Sequence, residues 1–127
     1  MRVPLPSALT ALTLYAVASL IHHVHNAEFL GHYPNMPGWL SPAMVYAAWL
    51  GATAIGALGY WLGRPFLLIA YGCYGLGALT HYAVAPLSAH TPMMHLTIGL
   101  EAATAAVLLI VVCSGTPDRG GWRRGIR

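Results

Sequence analysis

Four apolar runs, each about 20 residues long, fill most of this 127-residue chain, and about 20 residues is what a helix needs to cross a hydrocarbon core. They lie near 8–29, 42–63, 65–85 and 92–114, separated by short turn-forming segments. Their start signals agree. Ser41-Pro42 opens the second run and Thr91-Pro92 the fourth, each a capping hydroxyl before a proline at the first helical position. Pro65 opens the third, and Pro4, Pro6 and Ser7 precede the first. Only 7% of the chain is charged and 57% is hydrophobic, against roughly a quarter charged in a soluble domain. The expected fold is therefore all-α: a single integral-membrane domain over 1–127, built as an antiparallel four-helix bundle.

Arginine sets the expected orientation. All six basic residues are arginine. Arg2 precedes the first run, Arg64 separates the second and third, and four follow the last, in the tail 115–127. An even number of spans puts all six on one side, which the positive-inside rule makes cytoplasmic, with both termini. The tail "RGGWRRGIR" reads as a topology signal and not as a nucleic-acid site. Trp39 and Trp61 mark opposite ends of the second span, as interfacial aromatics do. "AVAS" at 16–19 has the form of a signal-peptidase site, but the apolar run continues past it through Leu20-Ile21, so the first segment is read as a span.

Small residues recur where helices should pack: Ala48, Ala52 and Gly56 in the second span, and Gly72, Gly75 and Gly77 in the third. Cys73 and Cys113 fall at different depths, which argues against a disulfide, and neither is expected near the histidines.

The polar residues are the unusual feature. "SLIHHVHNAEFLGHYP" gathers four histidines and a glutamate at the end of the first span. With alternating helix directions, His22, His25 and His81 lie near the outer ends of their helices, and His95 falls in the first turn of the fourth. At a rise of about 1.5 Å per residue, histidines separated by scores of positions in sequence converge at one end. His22, His25 and Glu28 share a broad helix face. His23 points away from it, and His23, His32 and His90 are expected to be interfacial hydrogen-bonding residues. Glu101 lies about two turns deeper than His95, where a carboxylate is costly and marks a functional site by default. Tyr74 and Tyr82 flank His81 on the third span.

Imidazole with carboxylate suits zinc, iron or copper. The expected function is a membrane metalloprotein with a site near the extracytoplasmic face, acting on a lipid-soluble substrate or handling metal. His22, His25, His81, His95 and Glu28 are the expected ligands, and Glu101 the catalytic base or a further ligand. Met36, Met93 and Met94 add thioethers suited to copper(I), or simply pack. Two alternatives stay open: bis-histidine ligation of haem b for electron transfer, and an accessory subunit whose polar residues contact a partner. A structural polar network would also account for the cluster.

"HNAE", within "HHVHNAEFL", resembles the signature of the HXXEE-type proteins, small multi-helix membrane proteins of unknown activity. The resemblance rests on His25, Glu28 and the helix count. Phe29 stands where that signature has its second glutamate. It implies the membrane fold and no particular reaction.

Overall fold

The computed structural model describes residues 7–115. Arg2, with the prolines before Ser7, and the arginine-rich tail from residue 116 lie outside the described residues. Those described are helical, with no strand among them. Helix α1 spans Ala8–Glu28, α2 Pro42–Trp61, α3 Pro65–Leu76, α4 His81–Val84 and α5 Pro92–Ser114. Taking α3 through α4 as one rod, four helices are long and apolar enough to cross a membrane.

The expected caps are present. Ser41 and Thr91 accept from the backbone N–H groups of Met44 and Met94, with proline at the start of each helix. Ser7 does the same for α1 through Thr10. Each cap satisfies one of the N–H groups that a helix start leaves unpaired.

The third span departs from expectation. The sequence predicts one helix over 65–85, but the α-helix stops at Leu76, Gly77–Thr80 winds as a 3-10 helix, and α4 resumes at His81. Gly75 and Gly77 weaken helical preference here, and the Thr80 hydroxyl donates to the Gly77 carbonyl at 2.7 Å. A tightened turn within a helix often marks a functional hinge. Here it leads directly into His81.

Helix α5 packs against both α1 and α3, and α2 packs against the same two from the other side, so α1 and α3 face each other across the bundle. Two apolar cores result. One, toward the Arg64 end, joins Leu12 and Tyr15 of α1 to Leu68 and Tyr71 of α3 and Leu108 of α5. The other, at the opposite end, holds Tyr33, Ala78, Met94 and Ile98. Tyr33 arrives from the loop after α1, which Asn35 ties down. Asn35 has a left-handed backbone (φ 57°), and its amide donates to the Val84 carbonyl at 2.8 Å. Between the two cores lies a polar layer.

Candidate functional site

The polar layer is built by i, i+4 rows on α1. Ala18, His22 and Asn26 form one row and Ser19, His23 and Ala27 the next, and all six residues are buried. The interior face of α1 is thus wide enough to include both His22 and His23. From α5 comes Glu101, 1% exposed, and from α3 and α4 come Tyr74 and His81. By helical rise, Ser19 and Glu101 sit at similar height, about 13 Å from the end of the bundle opposite Arg64.

Glu101 is asymmetrically held. The Ser19 hydroxyl donates to Oε1 at 2.7 Å. Oε2 is buried without a hydrogen-bond partner, and its nearest basic neighbour is His22 Nε2 at 3.6 Å. Among the described residues the one arginine is Arg64, at the start of α3 and at the far end of the bundle. A carboxyl in this setting needs a proton or a bound cation, because burying an uncompensated charge costs several kcal/mol.

The histidines divide by what their ring nitrogens already do. His22 Nδ1 lies 3.2 Å from the Thr97 hydroxyl, which itself donates to the Met94 carbonyl, so the shared proton belongs to Nδ1. Its Nε2 accepts from the Asn26 amide at 3.0 Å. His23 is fully engaged: Nδ1–H donates to the Ser19 carbonyl at 2.8 Å and Nε2 accepts from the Tyr74 hydroxyl at 2.8 Å. His81 differs from both. Its ring stands edge to face with His22, centroids 5.4 Å apart. Neither of its nitrogens has a hydrogen-bond partner among the described residues.

These groups border a cavity of about 370 Å³, lined by His22, His23, Asn26, Tyr74, His81 and Glu101 together with Cys73 and Gly77. Its mouth lies along α3, where Cys73, Tyr74, Gly77 and Thr80 are exposed.

The expected site residues therefore separate. His22, His81 and Glu101 come together. His25 does not join them: it is half-buried, and its Nδ1 lies 2.7 Å from the Tyr33 hydroxyl. Burial pushes the Tyr33 phenol up to about 12, so it keeps its proton and donates to His25. Glu28 is exposed and accepts from Tyr46 on α2 at 2.7 Å. His25 and Glu28, the pair behind the HXXEE resemblance, instead line an apolar groove with Leu20, Val24 and Met93. His95 is further out, with Nδ1 2.9 Å from the Tyr82 hydroxyl. It forms an outer group with His90, centroids 5.7 Å apart.

Three expectations are corrected. His23 is no interfacial bystander: it is buried, and its Nδ1 lies 3.9 Å from Glu101 Oε1. His90 is buried too, its Nδ1–H donating to the Pro86 carbonyl at 3.0 Å. Cys73 lines the histidine cavity, because α1 and α3 face each other at this level. The signal that locates His23 is the paired i, i+4 rows, visible in the sequence as Ser19 and His23 beside Ala18 and His22.

Among the described residues, no three His, Cys, Asp or Glu side chains are close enough to enclose a metal ion as they stand. What the layer offers is two oriented groups, His22 and Glu101, beside an uncommitted imidazole across a cavity. No family model, curated protein or solved structure matches the chain.

Proposed function

We propose that this chain is a multi-pass membrane protein with cytoplasmic termini whose cavity binds a transition metal ion and presents it to a lipid-soluble substrate. His22, His81 and Glu101 are the ligands in this reading. The observation that carries it is the convergence of two uncommitted groups on one cavity: Glu101 Oε2, buried without a partner, and the His81 ring, which makes no hydrogen bond among the described residues and lines the same space.

The surroundings favour such a role for His22. Its Nδ1–H is fixed by Thr97, the kind of outer hydrogen bond that sets the tautomer and basicity of a ligating imidazole. His22 Nε2 and Glu101 Oε2 already lie 3.6 Å apart, and a His81 ring turned toward them would complete the set, leaving open positions for water or substrate, as a catalytic site requires. A bound metal supplies Lewis acidity or an activated water. Glu101, anchored through Oε1 by Ser19, then offers Oε2 as ligand or as proton acceptor. Zinc, iron and copper all suit imidazole with carboxylate. Storage or transfer of the metal uses the same ligands.

Haem b is the second reading, favoured by the perpendicular His22 and His81 rings on different helices, at 81°. One preparation separates the two. Protein purified in mild detergent is examined by elemental analysis and visible absorption. About one metal ion per chain without a Soret band supports the first reading. A Soret band supports the second, and neither metal nor Soret band after reconstitution with zinc, iron, copper and haem removes both.

A further inference from the structure

Beside His81 the buried Tyr33 ring, 5.1 Å away, packs into the core of Ala78, Met94 and Ile98. The cavity's exposed lining residues are Cys73, Tyr74, Gly77 and Thr80, all along α3 and the 3-10 turn that follows it. In a membrane-spanning bundle that flank faces lipid. The 3-10 turn contributes a glycine there, and a Cβ added at Gly77 would meet nothing within 4 Å.

The chemistry inside restricts what fits. No arginine or lysine lines the cavity, and Glu101 points an unpaired oxygen into it. A carboxylate or phosphate headgroup would meet no cation there. A purely apolar ligand would leave Glu101 Oε2 and the His81 nitrogens unpaired, which costs on the order of 1–3 kcal/mol for each group. A hydroxyl serves both partners, because it donates one hydrogen bond and accepts another: one with Glu101 Oε2 and one with a His81 nitrogen. At about 370 Å³ the cavity is at the lower end of small-molecule sites, suited to a headgroup whose tail stays in the bilayer.

We infer that the cavity admits its ligand sideways from the membrane, along the exposed flank of α3, and that the ligand is a neutral amphiphile with a hydroxyl headgroup, an alkyl phenol or long-chain alcohol. The inference rests on the cavity being a ligand site and does not need the metal, so it is tested on chelator-treated protein.

Cys73 at the mouth is a built-in reporter. The Cys113→Ser protein is placed in phosphatidylcholine nanodiscs with EDTA, and alkylation of Cys73 by N-ethylmaleimide is timed. At ten times its dissociation constant, 4-octylphenol should slow alkylation by roughly tenfold, the free fraction expected by mass action. Octylbenzene and 4-octylbenzoate, which share the tail, should leave the rate unchanged. Glu101→Leu should raise the phenol concentration needed by about tenfold, as loss of a buried hydrogen bond implies. Gly77→Phe, which fills the mouth, should bring the ratio of rates with and without phenol to unity. Equal protection by octylbenzene or by the benzoate overturns the headgroup assignment. A Cys73 that maleimide never reaches, or that phenol never protects, overturns the sideways mouth. Neither result bears on metal content, which elemental analysis tests separately.

Discussion

His81 and His23 border the same cavity but differ in what their nitrogens are free to do. His23 spends both on Ser19 and Tyr74, whereas His81 spends neither. His81→Ala should therefore abolish metal retention, while His25→Ala and Glu28→Gln, whose side chains bond Tyr33 and Tyr46, should leave it unchanged. Metal content per chain after dialysis checks all three. Thr97→Val is a finer test. It removes the hydroxyl beside His22 Nδ1 and no ligand, and should weaken metal binding by about 10–100-fold, measured by competition with a chromophoric chelator. Much of this residue-level detail was legible beforehand. Depth alone puts His22, His81 and Glu101 together, because helical rise converts sequence position into height. Depth cannot say which way a side chain points around the bundle. For that reason His25 and Glu28 looked like ligands, and His23 did not.

At the level of elements, helix count, caps and boundaries followed from hydropathy and from Ser-Pro and Thr-Pro starts, to within a residue or two. The break after Leu76 did not. Gly72, Gly75 and Gly77 all read as packing residues, yet they do different things. A Cβ on Gly72 would meet Leu109 at 2.7 Å and one on Gly75 would meet the Tyr15 ring at 2.5 Å, whereas Gly77 faces open space. Which glycine packs and which unwinds depends on the neighbouring helix, information that a single sequence does not hold. Gly75→Ala should destabilise the bundle by about 1–3 kcal/mol, since the fully buried Tyr15 has no room to retreat. Gly99→Ala, with nothing within 4 Å of the added Cβ, should be neutral or slightly stabilising. Thermal unfolding of the two variants in one detergent makes the comparison.

For the whole molecule, the proposed topology, with cytoplasmic termini, gives the site its side. Reporter fusions in the loops at residues 35 and 88 should be extracytoplasmic, and one at the C-terminus cytoplasmic. A C-terminal reporter found outside would place the polar layer toward the cytoplasm instead. The bundle itself explains why Cys73 meets the histidines: α1 and α3 oppose each other across it, a pairing that the order of spans leaves undetermined. It also leaves one polar layer between two apolar cores, with Glu101 at its centre and no described cation near it. The most direct test of a metal site there is the metal content of Glu101→Gln, which keeps size and hydrogen bonding and removes the charge. It should insert and melt like the parent protein and lose its bound metal, while His25→Ala, purified alongside, keeps one ion per chain. A Glu101→Gln protein that retains its full metal content would contradict the account.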